Sequence, residues 1–144
     1  MTHSRWRTVV GSDEAGFDYK EILNLDLEAS ASVATVVDVG VTSEGHTDYF
    51  HVSVEAARMV AVGEAGRALV CGIGLGVEIS ANKVPGIRAV TAHDSYSVER
   101  AFLSNDAQVF CLGQRSVGIE LARRLTREWL KYEFITTSPS ASKV

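Results

Sequence analysis

A cysteine and a run of glycines occupy neighbouring positions in the middle of the chain. Cys71 follows the apolar residues 68–70 and precedes the glycine-rich segment 72–76, after which a helix-like pattern covers 77–83. A strand that ends in such a turn and reopens as a helix points backbone N–H groups and the positive end of the helix dipole at one place, where an anion can bind. The same field favours the thiolate form of a nearby cysteine. The sequence therefore predicts an anion site beside a potential base.

A thiol next to such a turn suits proton transfer at a carbon next to a carbonyl group. Moving a carbonyl between adjacent carbons requires a base that takes a proton from one carbon and returns it to the other, while hydrogen bonds hold the enediolate oxygen. Cys71 is the candidate base, and a buried structural cysteine is the alternative reading of the same residue. The loop amides are candidate donors to the oxyanion or to a phosphate, because glycine lets a backbone approach a ligand closely. These amides belong to Gly72, Ile73, Gly74, Leu75 and Gly76.

Length and composition predict one domain that binds a small partner. A chain of 144 residues with 46% hydrophobic residues can bury one core. Its net charge of −4, without a sustained basic run, argues against a nucleic-acid groove or a polybasic membrane patch. No segment has the length of a signal peptide or a membrane span, so we expect a cytoplasmic protein with no membrane partner. Cys111 is expected to be a reduced core thiol, and a disulfide is not expected.

Strand-like and helix-like segments alternate along the chain, which predicts an α/β fold with a parallel sheet covered on both faces. The strand-like segments are 6–10, 33–39, 68–71, 86–91 and 107–112, and the helix-like segments are 19–27, 48–62, 77–83, 95–103 and 117–132. Residues 1–135 form the predicted domain, and 136–144 form a tail without periodicity. In such folds the ligand crevice lies beyond the carboxyl ends of the strands. We expect Asp13, Cys71 and Asn105 to follow strands and to converge there.

Five segments stand in the order found in a known enzyme family: GSDEAG (11–16), DY (48–49), CGIGLG (71–76), ANKVPGIRA (81–89) and SNDA (104–107). The pattern resembles the ribose-5-phosphate isomerase B family, which includes galactose-6-phosphate isomerase subunits and tetrose-phosphate isomerases. The resemblance implies a three-layer α/β/α sandwich, Rossmann-like, with a five-stranded parallel sheet. It also implies aldose–ketose isomerisation of a phosphorylated sugar without a metal or another cofactor. The expected assembly is a homodimer with shared active sites, or a tetramer built from such dimers.

The resemblance also assigns roles to individual residues. Cys71 matches the proton shuttle of the family, and Asp13 matches a residue that contacts sugar hydroxyls, with capping of the next helix as its alternative. Tyr49 matches a phenol that lines the sugar site, or is a packing residue. Asn105 matches a substrate contact from the partner subunit, or is a helix C-cap. Lys143 is the best match to the phosphate-binding arginines near the carboxyl terminus.

Three departures from the family pattern bear on the substrate. Many relatives have a histidine at the position of Ser104, where it opens the furanose ring, and many have a histidine at the position of Glu14, close to the phosphate. Ile73 replaces a common threonine. A tetrose 4-phosphate cannot close a furanose ring because its O4 is esterified, so the loss of the ring-opening residue favours D-erythrulose 4-phosphate over ribose 5-phosphate. A non-catalytic sugar-phosphate binder, or an inactive half of a hetero-oligomer, is the alternative from another class.

Four other charged residues are also interpreted from their positions in the sequence. Arg88 and Arg115 lie near turns at strand boundaries and are further candidates for phosphate contacts. Glu78 lies one residue past the position where some relatives have a glutamate base, which turns it by about 100° around a helix, so that role is not carried over. Asp94 is a predicted helix N-cap.

Overall fold

The computed structural model describes residues 5–40 and 49–144, apart from the side chain of Tyr49. Two short 3-10 turns, Glu14–Gly16 and Ala141–Lys143, accompany the main elements. The strands are β1 (Trp6–Ser12), β2 (Val33–Asp38), β3 (Arg67–Gly72), β4 (Ala89–Thr91) and β5 (Val109–Gly113). The helices are α1 (Phe17–Ala29), α2 (Tyr49–Ala61), α3 (Leu75–Ala81), α4 (Ser95–Leu103) and α5 (Ile119–Trp129). Strands and helices alternate along the chain, as the sequence predicts.

The five strands form one parallel sheet in the order β2-β1-β3-β5-β4. The chain steps outward from β1 to β2 and then returns to the other side of β1 for β3, so the strand order reverses between β1 and β3. The carboxyl ends of these two central strands lie side by side, with Ser12 opposite Cys71. That reversal is where parallel α/β sheets form their ligand crevice. Within the described residues no helix is long and apolar enough to cross a membrane.

Helices cover both faces of the sheet and produce the predicted three-layer sandwich. Helices α1, α4 and α5 pack on one face, here called the α1 face, and α2 and α3 pack on the other, the α2 face. Alternation along β3 sends Leu69 and Cys71 to the α1 face and Ala68 and Val70 to the α2 face. The reactive candidate Cys71 therefore points toward α1.

The sequence does not predict the role of Arg67, a buried charged residue that begins β3. Its guanidinium donates hydrogen bonds to the carbonyl oxygens of Trp129 and Tyr132 and stacks 3.9 Å above the ring of Trp6. Burial lowers its pKa to about 10, although the charges of Glu133 and Asp106 oppose that shift. The start of β3 is thus tied to the end of α5 by a cation that lies among aromatic rings.

Two elements are shorter than the sequence pattern predicts. The predicted strand over 86–91 pairs only at Ala89–Thr91, because 84–87 form a turn in which Gly86 has φ +83°. The long helix predicted over 117–132 is confined to Ile119–Trp129, and Leu121 within it is 40% exposed. Beyond it, the Ile135 amide donates to the Leu103 carbonyl at the end of α4, and Lys143 ends the terminal 3-10 turn.

Candidate active site

Cys71 is held at the end of β3 by close backbone packing. Its side chain is fully buried, and its carbonyl oxygen accepts a hydrogen bond from the Asp13 amide at 3.3 Å. Gly16, at the end of the first 3-10 turn, packs so tightly that a Cβ there would clash with the Cys71 carbonyl and the Gly72 nitrogen. Only glycine fits this contact. The start of α1 and the end of β3 therefore form one packed unit around the thiol.

Asp13 lies directly beside the glycine loop. Its Oδ1 accepts a hydrogen bond from the Gly16 amide at 3.0 Å, so the capping role left open by the sequence is present. A Cβ on Gly72 would lie 3.0 Å from Asp13 Oδ2, which places the carboxylate over the loop. Burial raises the pKa of Asp13, while the amides of Gly16 and Ala15 and the charge of Arg115 act in the opposite direction. A partly desolvated carboxylate thus stands next to Cys71.

The expectation of a helix-stabilised thiolate at Cys71 is wrong for this structure. Burial raises the pKa of its thiol to about 12, and the negative charge of Asp13 raises it further, while the Lys20 ammonium acts in the opposite direction. The sulfur points into the core on the α1 face, so ionisation loses the hydration of the thiolate. Without a ligand, Cys71 is a neutral thiol at physiological pH.

Among the described residues, the glycine-rich loop has paired carbonyl groups and several unpaired amides. Gly74 has φ +105°, and its carbonyl accepts a hydrogen bond from Thr91 Oγ1 at 2.9 Å, while Gly72 O accepts one from the Gln114 amide at 2.8 Å. In the described part of the chain, the amides of residues 73–76 have no hydrogen-bond partner. The side chains of Ile73 and Leu75 are 45% and 63% exposed. Carbonyls are held by the neighbouring strands and free amides remain, as an anion site requires.

Arg115 is a site residue outside the set of substrate contacts chosen from the sequence. It follows β5 at the same edge of the sheet, and its charge lowers the pKa of Asp13. A cation directly after a strand terminus is the sequence signal that identifies it. Arg88, the other arginine considered, instead pairs with Asp106 at 2.9 Å at the opposite edge. Glu78 accepts a hydrogen bond from the Thr91 amide at 3.1 Å and therefore supports β4.

The structure separates Asn105 from Cys71 within one chain. Asn105 follows helix α4 and precedes β5, so it lies at the amino-terminal edge of the sheet, and the expectation that it follows a strand is wrong. Neighbouring Ser104 accepts a hydrogen bond from Arg100 Nη1 at 3.0 Å. Glu14 is exposed at the start of the first 3-10 turn, next to Asp13.

The described residues do not add the two other predicted contacts to the cluster. Lys143 is exposed in the terminal 3-10 turn. Tyr49 begins α2, but its side chain, like Asp48 before it, lies outside the described residues. Within residues 5–40 and 49–144, the cluster formed by one chain consists of Asp13, Cys71, Arg115 and the glycine loop. Asp94, a predicted N-cap, does accept a hydrogen bond from the Ser97 amide at 2.7 Å at the start of α4.

Comparison with known proteins assigns this cluster to a family. The profile of the Ribose/Galactose Isomerase family matches residues 8–144. The chain belongs to this family. D-erythrulose-4-phosphate isomerase 2 of Mycolicibacterium smegmatis is 61% identical over 140 residues, which cover 96% of this chain and 92% of the relative. Ribose-5-phosphate isomerase B of Escherichia coli is 40% identical over 126 residues, with 86% and 83% covered.

Solved structures agree with the sequence relatives. Type B ribose 5-phosphate isomerase of Leishmania infantum has a TM-score of 0.91 at 25% identity and covers 97% of this chain and 92% of its own. Ribose-5-phosphate isomerase B of Clostridium thermocellum has a TM-score of 0.89 at 34% identity, with 96% and 92% covered. The predicted family, fold and class of enzyme, an aldose–ketose isomerase, are confirmed.

Proposed function

We propose that this protein interconverts D-erythrulose 4-phosphate and D-erythrose 4-phosphate. The observation that carries this choice is the 61% identity to an enzyme named D-erythrulose-4-phosphate isomerase 2, against 40% for the ribose-5-phosphate isomerase B of Escherichia coli. A second D-erythrulose-4-phosphate isomerase, from Pectobacterium atrosepticum, is also 40% identical, so identity at that level does not discriminate. Ribose 5-phosphate and ribulose 5-phosphate are the alternative pair.

The surroundings of Ser104 support the shorter substrate. Ribose 5-phosphate has a free O4 and closes a furanose ring, which an isomerase must open by acid–base catalysis before it can act on the carbonyl. The Ser104 hydroxyl accepts a hydrogen bond from the Arg100 guanidinium and does not titrate near neutral pH, unlike a histidine. A tetrose 4-phosphate presents an open-chain carbonyl. It therefore needs no such group.

The proposed mechanism uses Cys71 as the proton shuttle and uses no metal. Its thiolate takes a proton from C1 of the ketose, the electrons of that C–H bond form the enediolate double bond, and the thiol then returns the proton to C2. The proton of the O1 hydroxyl moves to O2 in the same interconversion. The amides of residues 73–76 face the enediolate oxygen or the phosphate, Arg115 adds positive charge, and Asp13 accepts hydrogen bonds from sugar hydroxyls. Binding must generate the thiolate, because the free chain holds a neutral thiol.

The proposal includes a homodimer with shared active sites. Asn105 lies at the edge of the sheet opposite Cys71, so a second copy is needed to bring an Asn105 to the glycine loop. Leu75 and Ile79 on α3 are 63% and 59% exposed next to that loop, which gives a second copy an apolar surface to cover. The partner's tail would carry Lys143 to the phosphate. Because sugar phosphates are metabolites of the cytoplasm, we place the protein there.

Turnover of both sugar phosphates tests the substrate and the mechanism together. We expect a higher kcat/KM with D-erythrulose 4-phosphate than with ribose 5-phosphate, and a clear preference for the pentose would refute the substrate choice. Cys71→Ala should lower kcat by about 10²- to 10⁴-fold, the range for a lost general base. Cys111→Ala is the matched control, because Cys111 is equally buried but belongs to the α2 face. An active Cys71→Ala variant would refute the mechanism.

The full burial of Cys71 is the one observation that favours a non-catalytic binder. Calorimetric binding of a sugar phosphate by the wild-type chain, without any turnover of either substrate, would establish that alternative instead.

A further inference from the structure

A polar cluster lies on the α1 face at the carboxyl ends of β1, β2 and β3, next to the glycine loop. Ser12 and Cys71 are direct neighbours across β1 and β3, and both side chains point to this face, as do Val10 and Leu69 two residues earlier. Asp38 of β2 is opposite Val10 and shares the same face. Three polar side chains from three adjacent strands therefore share this face. Those of Ser12 and Cys71 are fully buried under α1, whereas Asp38 lies at its exposed edge.

Lys20 is the cation that α1 supplies to this cluster. It belongs to the buried stripe Lys20, Leu23 and Leu27 that faces the sheet, and it is only 3% exposed. Its Nζ donates hydrogen bonds to Asp38 Oδ2 at 2.7 Å and to Glu21 Oε1 at 2.6 Å. Burial acts to lower the pKa of Lys20, but these hydrogen bonds outweigh it and raise the pKa above its ordinary value. The side chain is therefore a permanent, fixed positive charge.

Lys20 is also tied to Cys71 by the chain itself. Gly16 packs on the Cys71 backbone, and Lys20 follows it by four residues, about one helical turn. Two charged groups act on the sulfur: the Asp13 carboxylate opposes its ionisation, and the Lys20 ammonium favours it. From the α2 face, Glu78 acts on Cys111. Among the described residues, Lys20 is thus the cation that acts on the Cys71 thiolate.

Ser12 contributes the second unusual feature of the cluster. Its Oγ is fully buried and has no hydrogen-bond partner within the described residues. A buried hydroxyl without a partner destabilises a fold, and a functional role is one explanation for its presence. The neighbouring side chain on the same face is the thiol of Cys71, which becomes a strong acceptor when it ionises.

We propose that Lys20 and Ser12 are positioning residues for Cys71: Lys20 places a fixed positive charge beneath the developing thiolate, and the Ser12 hydroxyl donates a hydrogen bond to it. The inference rests on the proposed isomerase function and deepens it. Asp38 holds Lys20 in place, and its Oδ1 also accepts a hydrogen bond from the Gly40 amide at 2.8 Å, which fixes the end of β2. The thiolate then forms between a cation and a donor, instead of in an apolar core.

Kinetics of charge-neutral variants test this proposal. Lys20→Met should lower kcat by about tenfold to hundredfold, the fold-change of one interaction with a charged group, with KM little changed. The alkaline-rising limb of the kcat profile should move to higher pH, and Lys20→Arg should restore most of the rate. Because Lys20→Met leaves Asp38 without its cation, Lys20→Met/Asp38→Asn is the second variant. Wild-type kcat in either neutral variant would overturn the role of Lys20.

Ser12→Ala separates a functional hydroxyl from a structural one. Removing a hydroxyl that has no partner in the free protein should leave the urea midpoint unchanged or raise it, while kcat falls by about tenfold. Unchanged kcat would overturn the role of Ser12.

Alkylation gives a readout that does not depend on turnover. In a Cys111→Ala background, the rate at which iodoacetamide modifies Cys71 is followed by intact mass at fixed pH. Because Cys71 is fully buried, this rate reports the thiolate population only after correction for opening of the fold, which urea unfolding of each variant supplies. Lys20→Met should lower the corrected rate by about tenfold or more, and Lys20→Arg should not. If the wild-type chain turns over neither sugar phosphate, the proposed function fails while alkylation still decides this inference. Equal alkylation rates in Lys20→Met and the wild-type chain would overturn it.

Discussion

The buried thiol of Cys71 should make the fold less stable at alkaline pH. In the unfolded chain a cysteine ionises near its ordinary pKa of 9.0, whereas folding raises the pKa of Cys71 to about 12. Above the unfolded pKa, the unfolded chain releases a proton that the folded chain retains. The folded state then binds more protons than the unfolded state, so the free energy of unfolding falls as pH rises. The effect is absent below pH 9.0 and levels off only above the folded pKa.

The size of the effect follows from the two pKa values. Each pH unit between them lowers the free energy of unfolding by about 1.4 kcal/mol. At about pH 10.5, some 1.5 units above the unfolded pKa, the loss due to Cys71 is about 2 kcal/mol. Cys71→Ala removes the titrating group. Between about pH 7.5 and 10.5, the free energy of unfolding of the variant should therefore fall by about 2 kcal/mol less than that of the wild-type chain. Any effect of removing the sulfur that does not depend on pH cancels in this comparison.

Urea unfolding at the two pH values and one protein concentration measures this difference. The fluorescence of Trp6 and Trp129, one half-buried and one fully buried, reports the transition. Cys111→Ala is the comparison variant, because burial also raises the pKa of Cys111 and predicts an effect of the same sign. If the wild-type chain and Cys71→Ala lose stability in parallel, the thiol of Cys71 is not desolvated and the argument fails.

Two further predictions concern the packing around the thiol and its assembly. Gly16→Ala should destabilise the fold by about 2 kcal/mol and lower kcat, because its Cβ would clash with the Cys71 carbonyl. Gly118→Ala has open space and φ −66°, so it should cost only about 0.5 kcal/mol, from the weaker N-cap of α5, and leave kcat unchanged. Urea unfolding and turnover measure both variants, and equal losses would contradict the packing argument. Co-refolding two inactive variants, Cys71→Ala and Asn105→Ala, should restore about a quarter of the wild-type activity, since half of the dimers are then mixed and each has one intact site. A mixture that stays inactive would refute the shared site.

Local sequence patterns predict the architecture because they depend on whether each segment is a strand or a helix. The alternation of β-branched runs with segments of helical period predicts a parallel sheet with helices on both faces, and the strand ends at Asp13 and Cys71 are adjacent as expected. Boundaries were less accurate where turns interrupt an apolar run. Gly86, at φ +83°, shortens β4, which a hydrophobic pattern does not reveal. The predicted strand begins at residue 68 and not at Arg67, because a charged residue is not expected in a buried strand. The aromatic rings that bury Arg67 come from distant segments.

The site was harder to predict than the fold, because its properties depend on packing between distant segments. The sequence places Cys71 next to a glycine-rich turn, but it does not reveal that the sulfur points into the core under α1, which reverses the expected direction of the pKa shift. Lys20 reads as an ordinary polar residue of an amphipathic helix, and only the fold places it against Asp38. The expectation that Asn105 follows a strand is wrong because the residue lies between α4 and β5, where a helix precedes it.

The side chains of Ile73 and Leu75 are the parts of the glycine loop that the fold constrains least. The backbone of the loop is held between neighbouring strands, and the Ile73 carbonyl packs against Gly113 so closely that no side chain fits there. The side chains of Ile73 and Leu75, however, project away from the core. A library at Ile73 would vary the rim of the crevice without disturbing its floor, so selection for a new sugar should find its first gains there. Changes at Leu75 would also alter the apolar surface proposed to contact the second copy.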